Sequence, residues 1–64
     1  MPWSEDRFPV SMRHLSVQVR RKAIEIANAL LAEGMEEGRA IRIAIARAEA
    51  WAERRGLPVR NDAG

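Results

Sequence analysis

Sixty-four residues without a cysteine allow one small domain with no disulfide staple, and a chain of this size buries only roughly 60% of its unfolded surface. Apolar residues make up 47%, but 11 are alanine and three are Trp or Phe, which leaves 16 Val, Ile, Leu and Met side chains for a core. Eleven Lys and Arg against nine Asp and Glu give +2; the signs are mixed along the chain, as on a solvated surface, where a phosphate-tracking protein concentrates its cations.

Residues 1–15 read as an irregular arm broken by Pro2 and Pro9, with one short helical turn at 11–15 for which Ser11 is a candidate cap. The opening Met1-Pro2-Trp3-Ser4-Glu5-Asp6 carries acid where a secretory leader is basic, so a cytoplasmic location is expected. The apolar run Ala29-Leu30-Leu31-Ala32 is far short of the roughly 20 residues of a membrane span, and no membrane association is expected.

The first long helix is expected over 16–34, with Ser16 as its cap and neither Gly nor Pro across 17–33. Stepping about 100° per residue from Ala27 puts Ala23, Ile24, Leu30 and Leu31 on one stripe, with Val17, Val19 and Ile26 at its edges. Arg20 points into that stripe, where its stem can pack while its guanidinium reaches water. Asn28 sits on the border, placed for a hydrogen bond to a neighbouring loop. Gly34 supplies the left-handed residue that ends the helix, with Met35 as the apolar residue after the cap.

The second helix is expected over 36–55, opened by Glu36 and Glu37 and carrying Arg54 and Arg55 near its negative end. Gly38, in its first turn, is read as marking a close helix approach. Centred on Ala44, the inner face holds Ala40, Ile41, Ala48 and Trp51, with Ile43, Ile45 and Ala52 on the flanks. Gly56, Leu57 and Pro58 stop it, and 57–64 is expected to be a loose tail.

A short Gly-containing connection makes these two helices an antiparallel hairpin, so the expected fold is all-α: one small domain over 1–64 with an N-terminal arm. Each apolar arc is wider than one neighbouring helix can cover. The arm, through Trp3, Phe8, Val10 and Leu15, covers part of the excess, and a homodimer with a four-helix arrangement is expected to cover the rest.

The run Phe8-Pro9-Val10-Ser11-Met12-Arg13-His14-Leu15, the stretch Val19-Arg20-Arg21-Lys22-Ala23-Ile24-Glu25-Ile26-Ala27-Asn28-Ala29-Leu30, then Glu33-Gly34-Met35-Glu36-Glu37-Gly38-Arg39-Ala40-Ile41-Arg42-Ile43-Ala44 and the closing Ala50-Trp51-Ala52 resemble small bacterial proteins labelled YdaT-like. More distantly they resemble the ChaB-like family, through its Pro-x-Ser-x-basic-x-Leu arm, an apolar helix with an Asn-Ala pair and a later Ala-Trp. The resemblance implies a regulatory neighbourhood and brings no catalytic residues. The long acidic insert of some ChaB-like members is missing here, so a cation-related role does not carry over.

The chain offers little chemistry. Glu49 and Glu53 share a helical face but have no His or Asp partner for a metal. Ser4, Ser11 and Ser16 have only His14 as a base, with no orienting acid. Gly34-x-x-x-Gly38 lacks the Lys and Ser/Thr of a phosphate loop. No enzyme activity, metal or cofactor is therefore expected. The expected function is a non-catalytic interaction module, regulatory through protein contacts, that uses Ile43, Ile45, Arg47 and Trp51 with Arg39 and Arg42 at the rim. The alternative is a weak nucleic-acid-associated regulator using Arg13, Arg20, Arg21 and Lys22, with Trp3 or Phe8 able to stack on a base.

Overall fold

The computed structural model describes residues 3–60: one 3₁₀ turn at Val10–Met12, then two helices, α1 at Val17–Ala32 and α2 at Glu37–Arg54. Among the described residues there is no strand, only isolated bridges between Ser4 and Arg7 and between Leu15 and Arg60.

Each boundary has a local cause. Ser16 is extended (φ −61°, ψ 161°) and its Oγ accepts from the Val19 N–H at 3.4 Å, which caps α1. The 3₁₀ turn begins one residue before the expected position. Pro9, with its fixed φ, stands at its cap, no side chain caps it, and Ser11 is an exposed residue inside the turn. At the end of α1, Gly34 adopts φ 96°, its N–H donates to Leu31 O at 2.9 Å, and the Met35 N–H donates to Leu30 O at 3.1 Å. The same motif ends α2: Gly56 has φ 68°, its N–H donates to Glu53 O at 3.2 Å and the Leu57 N–H to Ala52 O at 2.9 Å.

Glu36 starts α2. Its carboxylate accepts from the N–H groups of Gly38 and Arg39, both at 2.9 Å. These two bonds, with the charge of Arg42 nearby, hold its carboxyl below the ordinary value. The cap also explains Gly38. A Cβ there would lie 3.3 Å from Glu36 Oε2 and 3.6 Å from Arg42 Nη1, so the glycine makes room for the capping carboxylate and not for the other helix.

The four-residue connection, 33–36, folds the helices back on one another, and Lys22 early in α1 meets Trp51 late in α2 at 5.4 Å. Between them lie Ala23 and Ala27 of α1 and Ala40, Ala44, Ala48 and Ala52 of α2, all with no exposed surface. This four-residue spacing follows a ridge that slants across the helix surface. The inner face of α2 therefore turns toward Ala52 at its end and leaves Trp51, expected inside, half-buried.

The arm closes one side of the pair. Met12 and Leu15 are buried, and Trp3 and Phe8 pack against the core. Asn28, the buried polar residue, exchanges two hydrogen bonds with the backbone of Trp3. Arg20 is half-buried, and its guanidinium is engaged by the arm: its Nε donates to Met12 O at 3.3 Å, its Nη2 to Leu15 O at 3.0 Å, and it lies 4.5 Å from the centre of the Phe8 ring. Met12 ends the 3₁₀ turn and Leu15 follows it, so the cation finds backbone acceptors on the arm.

Residues 57–60 are not loose. Leu57 and Val59 pack against the core, the Ser16 N–H donates to Val59 O at 2.9 Å, and Ser16 Oγ donates to Pro58 O at 2.8 Å. The start of α1 thus holds the segment leaving α2. Residues 61–64 of the expected tail, and Met1 and Pro2 of the arm, lie outside the described residues.

Candidate interaction surface

With arm and tail placed, the two flanks of the hairpin differ. On one, Trp3 and Glu5 of the arm line a cleft together with Ile24 and Asn28. On the other, the clefts beside Trp51 are lined by residues of α1 and α2 alone. The described residues measure 34 × 24 × 15 Å.

The larger cleft of the open side is lined by Lys22 and Ile26 from α1 and by Arg47, Ala50, Trp51 and Arg54 from α2. The spacing on α2 explains the grouping, since positions 47, 50, 51 and 54 repeat at three and four residues and share a face. The antiparallel pairing then sets the start of α1 beside the end of α2. Three cations surround this cleft and no acid lines it. Glu25 approaches from the neighbouring cleft, 3.4 Å from Lys22 Nζ, and is itself largely exposed. Lys22 Nζ and Arg55 Cζ lie 5.4 and 5.2 Å from the centre of the Trp51 ring, within cation–π range.

Of the four residues assigned to a protein interface, Arg47 and Trp51 come together here. Ile43 stands one turn before Arg47 on the same face, half-buried. Ile45 does not join them. It is two residues from Ile43, about 200° around the helix, and so faces the other flank. Of the four assigned to nucleic acid, Arg20 is held by backbone carbonyls, Arg21 Nε lies 3.5 Å from Glu5 Oε2, Lys22 belongs to the Trp51 cleft, and Arg13 stands exposed on the arm. Arg21 and Lys22 line one cleft beside Trp51, and Arg13 and Arg20 are not among its lining residues. Ile26 and Arg54 were missed as members of the cleft, although the 47–50–54 spacing and the antiparallel pairing carry that signal. Among the described residues, no group of three or more His, Cys, Asp or Glu is placed to hold a metal ion, and no helix is long and apolar enough to cross a membrane.

The fold and surface define a two-helix hairpin buttressed on one side by an arm and a returning tail. Over 53 residues, 83% of the chain, it is 57% identical to the uncharacterized protein YdaT of Bacillus subtilis (strain 168). The matched stretch spans 35% of that protein's length. This similarity lends no support to the more distant ChaB-like resemblance. No family model matches the chain. No solved structure matches it.

Proposed function

We propose that this chain is a non-catalytic helical interaction module whose contact face is the open flank of the hairpin, around Ile26, Ile43 and Trp51. The observation that carries the reading is a difference between the flanks: arm residues line the cleft over Ile24 and Asn28, while the Trp51 cleft is lined by helix residues only. A half-buried tryptophan beside aliphatic side chains and arginines is the composition of an interface hot spot. Arg13 and Arg20 lie outside the cleft that Arg21 and Lys22 share with Glu25, which gives the nucleic-acid alternative less to stand on.

The test is a photo-crosslinker placed in the full chain at position 43, with position 13 on the arm as control. In cells, position 43 is expected to give a discrete protein adduct and position 13 none. An adduct of twice the chain mass would be a second copy, in the four-helix arrangement; another discrete mass would be a different protein. No discrete adduct at position 43 overturns the reading.

A further inference from the structure

We infer that the occupant of this open flank is an acidic amphipathic helix, lying along the groove between α1 and α2. Its apolar stripe would sit on Ile26, Ala50 and Trp51, with carboxylates reaching Lys22, Arg47 and Arg54. The inference rests on the function proposed above and adds the chemistry of the partner.

Charge complementarity selects the occupant. The cleft presents Lys22 from one wall and Arg47 and Arg54 from the other, with no acid among its lining residues. A second copy is a poor fit, because a two-fold contact centred here would bring Lys22, Arg47 and Arg54 of both copies together, and like charges at an interface are costly. Lys22 and Arg55 already lie over the Trp51 indole at 5.4 and 5.2 Å. An anionic side chain can bridge those cations without displacing them.

The helical form follows from the walls. Both are helices whose backbone groups are bonded internally, so the groove has no free sheet edge to pair with an extended peptide. A third helix packs into such a groove through side chains alone. Arg47 and Arg54 are two turns apart, about 10.5 Å along the axis. The partner's acids on that side would therefore recur every seven residues.

The probe is a labelled synthetic helical peptide of about four turns, with leucines in an i, i+3, i+4 stripe flanked by glutamates at i, i+7. A counterpart carries lysines in their place, and a single-stranded oligothymidylate serves as the third probe. Binding to the full chain is read by fluorescence anisotropy. The glutamate peptide is expected to bind at least about tenfold more tightly than the lysine peptide. Arg47→Glu with Arg54→Glu should reverse that preference, and Arg47→Gln with Arg54→Gln should reduce it, leaving the share due to Lys22. Arg13→Glu should leave it unchanged. Both arginines are exposed, and circular dichroism of each variant verifies that the helices persist.

Equal binding of the two peptides, no binding of the glutamate peptide, or a preference indifferent to the charge changes overturns the inference. Oligothymidylate binding that the double reversal abolishes, with the glutamate peptide inert, replaces it with a nucleic-acid surface. If position 43 still crosslinks while the peptides show no charge preference, the interaction module stands and only the acidic partner falls.

Discussion

The side chain of Asn28 is matched to the backbone of Trp3 in both directions: the Trp3 N–H donates to Asn28 Oδ1 at 3.2 Å, and Asn28 Nδ2 donates to Trp3 O at 3.0 Å. One amide thereby satisfies a donor and an acceptor of an arm that has no secondary structure of its own there. Asn28→Ala leaves both groups of Trp3 unmatched, at a cost of about 1–3 kcal/mol. The loss is read as a lower urea midpoint, accompanied by faster proteolysis within the arm. A midpoint within error of the parent would refute this account of the arm's attachment.

The indole of Trp3 behaves differently from its backbone. Its Nε1 is buried without a hydrogen-bond partner, so Trp3→Phe removes an unsatisfied donor while keeping an aromatic ring on the core. The expected destabilisation is smaller than that of Asn28→Ala. The comparison is made by chemical denaturation of the two variants side by side.

Arg20 serves the fold. Arg20→Ala removes two hydrogen bonds to Met12 O and Leu15 O and the contact with Phe8, whereas Arg13→Ala alters an exposed side chain. The first is expected to cost about 1.5–3 kcal/mol, the range for a hydrogen-bonded charge, and the second less than about 0.5 kcal/mol. Thermal denaturation of the pair checks this. Equal midpoints would return Arg20 to the list of surface cations.

Gly34→Ala puts a Cβ on a residue held at φ 96°, where nothing lies within 4 Å of it. The cost is therefore backbone strain alone, about 1–2 kcal/mol. It should appear as a lower denaturation midpoint with an unchanged m-value. A changed m-value would point to a rearranged connection.

Glu36 sets an acid dependence. Its folded-state pKa is depressed below the ordinary value near 4.5 by the N–H groups of Gly38 and Arg39. Its contribution is therefore complete above that value and is lost as pH falls through the lower folded-state value. Glu36→Gln keeps an acceptor but removes the charge, so its melting temperature should converge on the parent's in acid and fall below it near neutrality. Parallel curves across that window would mean that the ionised cap contributes nothing.

What the sequence made legible was local. The caps formed by Ser16, Gly34, Glu36 and Gly56 are bonds to nearby residues of the same helix end, and the alanine and aliphatic periodicity marks the inner faces. The destination of Arg20 was not legible, because its acceptors are carbonyls whose position depends on how the 3₁₀ turn docks. The seat of Val59 was hidden for the same reason, since its partner, the Ser16 N–H, is 43 positions away and leaves no periodic trace. The assignment of Ile43 and Ile45 to one surface failed on something simpler: two steps along a helix turn a side chain most of the way to the opposite flank. The Trp51 cleft needed both the spacing on α2 and the pairing of α2 with α1.

The alanine contact between the helices inverts the usual pattern of mutational sensitivity. An ordinary core suffers most when large side chains are trimmed, because a cavity remains. Here six positions with no exposed surface are already alanine, and alanine gives up no rotamer freedom on burial. Such a seam is entropically cheap to form, which suits a chain with few large apolar residues. Its vulnerability is to growth: Ala27→Val or Ala48→Val adds bulk where the backbones meet, and the helices must part along their length to admit it.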